Sequence, residues 1–185
     1  MTQPTLNAEN VLLGLNNGAG VFIGPTGTAL PTDLDTAFGT PWQAVGYVSD
    51  DGVTLSASTD SESLTPWQST SPVRTMITGK SLELQFVMWE TAPLSLGLWF
   101  DVAPPTAVGG LLEFDVRSDS GGILYAVALD VKDQDTIFRI LFPRAQLSDS
   151  GDVTFSRGSA IGWDATLSAL DDNGKLAEIM MGEAA

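Results

Sequence analysis

Carboxylates are the abundant reactive side chains of this sequence: 23 Asp and Glu stand against 8 Lys and Arg, with no His and no Cys. Without His there is no Ser-His-Asp or Cys-His catalysis and no imidazole ligand for a metal. Without Cys there is no thiolate metal site and no disulfide framework. Paired carboxylates for glycoside hydrolysis could be drawn from Glu83, Glu90, Glu113 and Asp115. That chemistry needs a gap of about 5 Å or about 9 Å, which spacing in sequence does not set. Asp130, Asp133 and Asp135 form an acidic cluster without the glycine and distal glutamate of a Ca²⁺ loop, and it reads as a solvated turn. Thr78-Gly-Lys-Ser81 ends like a phosphate-binding loop, but the first glycine of that motif would fall on Arg74. Gly18-Ala-Gly20 with Gly24 has the wrong spacing for a dinucleotide fingerprint. No catalytic residue, metal or cofactor is assigned. Trp42, Trp67, Trp89, Trp99 and Trp163 could stack on sugars, although core and interface packing is the commoner use of Trp.

These residues sit in 185 residues, the length of one domain with a real core. Charged residues make up 17% and apolar residues 43%, which is not a disordered composition. The net charge of −15 opposes any role that holds nucleic acid by its phosphates. The acidity is spread along the chain. Met1–Val73 carries seven acids and no base, Arg74–Arg144 nine and six, and Ala145–Ala185 seven and two. Solubility is the plain explanation. No run of 18 apolar residues suggests a membrane span. Met-Thr-Gln-Pro-Thr lacks the start of a signal peptide, and no Asn-x-Ser/Thr acceptor occurs. Synthesis in the cytoplasm is expected.

The elements that must position these groups are β-like. Asp50–Gly52, Ser118–Gly122, Asp149–Asp152 and Asp171–Gly174 are turn signals. Alternation with period two marks Val53–Ser58, Ser81–Trp89 and Leu112–Arg117 as strands. Further strands are expected at Val11–Leu15, Val21–Gly24, Gln43–Val48, Val73–Thr78, Ile123–Val131, Thr136–Phe142, Val153–Ser156 and Trp163–Leu170. The first half of Ile123–Val131 is apolar on both sides, so both faces should be covered. Lys175–Met181 is a final strand or a frayed end. Helix signal is thin: Thr32–Phe38 could make two turns, and Thr91–Phe100 is the better candidate, with Thr91 as cap and Pro93 in the first turn. The expected fold is all-β, an antiparallel sandwich or barrel with one short flanking helix. Residues 1–10 read as an N-terminal arm, 11–171 as the domain and 172–185 as a C-terminal segment.

Thr59–Ser71 breaks the pattern. It is long for a hairpin connection and carries Leu64 and Trp67 among polar residues. A loop Trp of this kind suits an interface anchor, the alternative being that it folds back onto its own core.

Several runs are together more specific. Trp42–Ser56 (WQAVGYVSDDGVTLS), Leu64–Thr75 (LTPWQSTSPVRT), Leu82–Glu90 (LELQFVMWE) and Phe142–Ala169 resemble, in order and spacing, the tail tube proteins of long, non-contractile-tailed bacteriophages, especially those of actinobacteria. The resemblance covers Val11–Leu170. It departs from the family in a short N-terminal arm and in having no immunoglobulin-like domain after the core.

The resemblance implies a β-sandwich with a flanking helix whose protomers form rings, commonly hexamers, stacked into a hollow tube. It implies a virion tail component assembled in the host cytoplasm. Its partners would be sister copies, a tape measure protein in the lumen before ejection, and tail terminator and baseplate or distal tail proteins. DNA would pass without specific binding. Inner strands would join a barrel shared between subunits, which removes strand edges. The inter-subunit contact is expected at Leu64, Pro66, Trp67, Gln68, Val73 and Arg74. Duplex DNA carries one negative charge per about 1.7 Å of axis, so an acidic lumen keeps passage low in friction. Glu83, Glu113, Asp115 and Asp130 are the expected lumen-facing acids, a solvated outer face being the alternative. A carbohydrate-binding adhesin, stacking sugars on Trp67, Trp99 or Trp163, is the second reading, and a carboxylate glycosidase the third.

Overall fold

A computed structural model describes residues 12–14 and 20–183. Eight strands and one helix follow in order: β1 (Gly20–Pro25), β2 (Gln43–Ala44), β3 (Val48–Leu64), β4 (Arg74–Met88), α1 (Pro93–Trp99), β5 (Leu124–Asp133), β6 (Thr136–Ser150), β7 (Trp163–Ala169) and β8 (Glu178–Glu183). All pairings are antiparallel, in the order β2-β1-β5-β6-β7-β4-β3. The long β6 is shared on one edge: β8 pairs with Thr136–Leu141 and β7 with Ala145–Ser150. The Val45 amide donates to the Val21 carbonyl and the Trp89 amide to the Tyr47 carbonyl, so the chain between β2 and β3 ties the two ends of the sheet together. The result is an all-β, barrel-like wrap with one short helix.

Alternation explains the core. On β4, Leu84, Phe86 and Met88 are buried while Gln85 is exposed; on β7, Trp163, Ala165, Leu167 and Ala169 are buried. Each large side chain so buried stabilises the fold by about 1.5–3 kcal/mol. Tyr125–Asp130 of β5 is buried without alternation because both faces are covered. The core lies on one side. On the other, the excursion between β1 and β2 lays Phe38 on Phe22 at 4.2 Å and edge-on to Trp42 at 5.3 Å.

Several expectations are corrected. Thr32–Phe38 forms bends and no helix. The Asp33 carboxylate takes the Thr36 amide, and the Asp33 and Thr36 carbonyls accept from Arg139 instead of from a following helical turn. The Thr36 contacts, its side chain first, hold the Asp33 carboxyl below its ordinary value of 3.8. Leu112–Arg117 and Val153–Ser156 are not strands. Their alternation serves aromatic packing: Phe114 meets Phe100 at 5.5 Å, and Phe155 meets Trp163 at 6.5 Å. Thr91 does not cap α1, whose N-cap is Ala92 without a side-chain bond; the Thr91 hydroxyl accepts from the Trp163 indole at 3.0 Å. Thr78–Ser81, where a turn between two strands is the plain alternative to a phosphate-binding loop, lies inside one continuous β4, with a register shift at Thr78. The first six residues of the loop Thr59–Ser71 are strand: β3 runs to Leu64 and β4 begins at Arg74, leaving Thr65–Val73 as the connection. Within Val11–Leu15, Leu12–Gly14 carry no strand, while Val11 and Leu15, like the arm at 1–10, lie outside the described residues. In the C-terminal segment β8 adds to β6.

Candidate functional site

β3 and β4 extend beyond the body as an arm. β7 pairs with β4 only over Glu83–Met88, so from Ala57↔Leu82 to Leu64↔Arg74 the hairpin has no third strand. Apart from half-buried Leu82 at its base and Gly79, its strand residues are exposed on both faces. A two-stranded ribbon without a covered face is marginal in water. Ser58 and Ser81 join their hydroxyls across it at 2.7 Å, and Ser63 and Thr75 at 3.1 Å. At the tip the Val73 amide donates to the Leu64 carbonyl, and the Ser69 amide to the Pro66 carbonyl. Trp67 is 97% exposed, so it does not fold back onto the core. Leu64, Val73 and Ile77 add exposed apolar surface, and Gln68 and Arg74 are exposed polar groups beside it. The structure therefore gathers all six expected contact residues at one end of one hairpin.

The second feature is one face of the sheet. The ladder places Ser56, Glu83, Ser168 and Gln146 in a row across β3, β4, β7 and β6, and Thr54, Gln85, Thr166 and Asp149 in the next. Asp60 continues this face along the arm, and Asp164 lies beside Val87. The side chains are exposed or half-exposed and bonded to each other: the Ser168 hydroxyl donates to Glu83 Oε1 at 3.0 Å, and the Gln85 amide to Asp164 at 3.2 Å. These rows hold hydroxyls, amides and carboxylates and no Lys or Arg.

The four expected acids divide. Glu83 is on this face. Glu113 and Asp115 are exposed on the irregular connection between α1 and β5, where Asp115 stands 3.8 Å from Arg117. Asp130 is a correction. Its carboxylate is buried and takes Arg139 Nε and Nη2, each at 2.7 Å, while Nη1 reaches the Asp33 and Thr36 carbonyls and the guanidinium covers Phe38 at 4.6 Å. It presents no free charge. Asp133 accepts the Leu13 amide instead of joining Asp130 in a cluster. Among the described residues no group of three or more acids is placed to hold a metal ion. Trp163 is buried and Trp99 packs against it and Phe100, so neither offers a free stacking face like that of Trp67. Asp60, Asp149 and Asp164 also lie on this face; of these, Asp164 was legible in the alternation Asp164, Thr166, Ser168 of the expected strand.

The sequence matches the family described as phage tail tube protein over residues 4–184. The chain belongs to that family. A phage tail tube protein is a structural component of the virion tail, built from many subunits, and membership makes a structural role the function of this one. A solved structure described as "Cryo-EM structure of the anti-feeding prophage (AFP) baseplate, 6-fold symmetrised" is similar at 15% identity, with 99% of this chain and 98% of that chain covered and a TM-score of 0.30. No curated protein matches in sequence.

Proposed function

We propose that copies of this chain join edge to edge into rings, that rings stack into the tail tube, and that the polar face of β3, β4, β7 and β6 lines its bore. The observation that carries this reading is the chemistry of the two rows, which bear acids, amides and hydroxyls and no base across four strands; the bases on this face, Arg144 on β6 and Arg74 at the arm tip, stand outside them. A polyanion sliding past it meets repulsion and weak, interchangeable contacts, so it is not retained. Bore-facing acidity is assigned to Asp60, Glu83, Asp149 and Asp164. The outer edge of β3 and the Leu147–Ser150 edge of β6 bound this part of the sheet, and pairing them between neighbours closes a shared barrel without free edges. Six copies per ring is what the family resemblance implies. The arms, with Leu64, Pro66, Trp67, Gln68, Val73 and Arg74, bridge copies. A tape measure protein occupies the bore before ejection, and terminator and baseplate proteins close the ends. Assembly takes place in the host cytoplasm.

Negative-stain microscopy of the purified chain tests assembly: hollow tubes or rings are expected, and a chain that stays monomeric at high concentration, with and without tail seeds, contradicts it. Glu83→Lys with Asp164→Lys tests the conduit: tubes still form and DNA ejection slows. Unchanged ejection contradicts the bore assignment.

A further inference from the structure

The arm ends in a knob, and the body carries a groove that matches it. The groove, of about 220 Å³, lies between the end of β1, the start of α1 and the start of β5. Pro25, Leu94, Pro104 and Ile123 supply apolar walls, and Gln43 and Tyr125 are its only residues with polar side chains. Ligand pockets usually run to about 300–1,000 Å³, so this one suits a single side chain better than a small molecule. Tyr125 is 5% exposed, and its hydroxyl oxygen has no hydrogen-bond partner. A buried polar atom in that state is costly and uncommon. Burial, and then the Asp101 carboxylate, push its pKa up.

Trp67 offers the complement to the apolar walls: a flat ring system large enough to fill a groove of this size. It is 97% exposed on a tip flanked by exposed Leu64 and Val73, in the same structure that leaves the groove open. The contact is therefore not made within one chain. Buried Trp and Tyr in a desolvated pocket are the commonest energetic centres of protein interfaces. Arg74 at the root of the tip is one of 8 basic residues in a chain of net charge −15. Asp101, whose carboxylate accepts the amides of Gly122 and of the groove residue Ile123, gives it an acidic neighbour beside the groove.

We infer that Trp67 of one copy inserts into the groove walled by Pro25, Leu94, Pro104, Ile123 and Tyr125 of a second copy. Knob and groove are different surfaces, so the contact is heterologous and propagates. This rests on the tube reading and adds the receptor for the arm.

The chain has no Cys, which gives a clean background for cross-linking. Gln68→Cys is at the tip, and Ala103→Cys is at an exposed position on the groove wall. Tubes of the double variant, oxidised, are expected to give a ladder of disulfide-linked multimers in a denaturing gel; either single variant gives none. Separately, Ala103→Trp fills the groove, and with it the critical concentration for assembly rises at least about 30-fold. Trp67→Ala does the same. Wild-type-like folding is checked for each by circular dichroism. The two variants mixed form a one-to-one pair in sedimentation, since one supplies the knob and the other the groove. Tubes that form without the ladder, or an Ala103→Trp chain that assembles like the wild type, overturn the docking and leave the tube reading standing. A wild-type chain that never self-associates overturns both.

Discussion

Arg139 ties three parts of the fold together. Arg139 spends its guanidinium on Asp130, on two backbone carbonyls of the β1–β2 excursion and on the face of Phe38. That excursion covers the second face of β5, so the ion pair fixes a layer of the fold. Breaking a buried pair from one side leaves an uncompensated charge. Asp130→Ala is expected to lower stability by about 3–5 kcal/mol in urea denaturation. A loss below about 1 kcal/mol, the range of an exposed pair, contradicts this account. The partnership was legible in principle. A hairpin turning at Gln134–Asp135 sets Asp130 opposite Arg139, and both strands were expected from sequence. The acid was instead grouped with its neighbours in sequence, Asp133 and Asp135, and not with its neighbour across the sheet.

Among the elements, those with one buried face were legible and those without one were not. Ser81–Trp89 and Trp163–Leu170 show alternation because one face meets the core, and they correspond to the second half of β4 and to all of β7. Thr59–Leu64 is strand with both faces in solvent, so its residues alternate in direction but not in polarity, and it passed for loop. The converse error arose at Leu112–Arg117, where alternating burial occurs without a ladder. The arm's independence of the core makes it removable. Replacing residues 61–78 by Asn-Gly, a pair suited to a tight hairpin, keeps Asp60 opposite Gly79. The shortened chain is expected to unfold within a few degrees of the wild type, since no core side chain is lost, and to form no tubes. Loss of the fold contradicts the view of the arm as an appendage of the body. Tubes of normal length contradict its role as the bridge.

At the scale of the whole molecule, the net charge of −15 acquires a direction. Composition alone reads as solubility. The ladder sorts part of that charge into two rows of one sheet face that hold no base, while Asp130 is neutralised inside and Glu113 and Asp115 sit on a connection. The family was legible from order and spacing of several runs, whereas the positions of the acids were not, because alternation separates two faces without saying which one a neighbour covers. The central claim is that sister copies complete the sheet and turn this face inward. A cryo-electron microscopy map of tubes grown from the purified chain tests it most directly. The account predicts a bore walled by β3, β4, β7 and β6, with Asp60, Glu83 and Asp164 pointing into it and each arm seated on a neighbouring copy. A map in which those side chains face the outside of the tube, or in which each barrel stands without strand contacts to its neighbours, would contradict it.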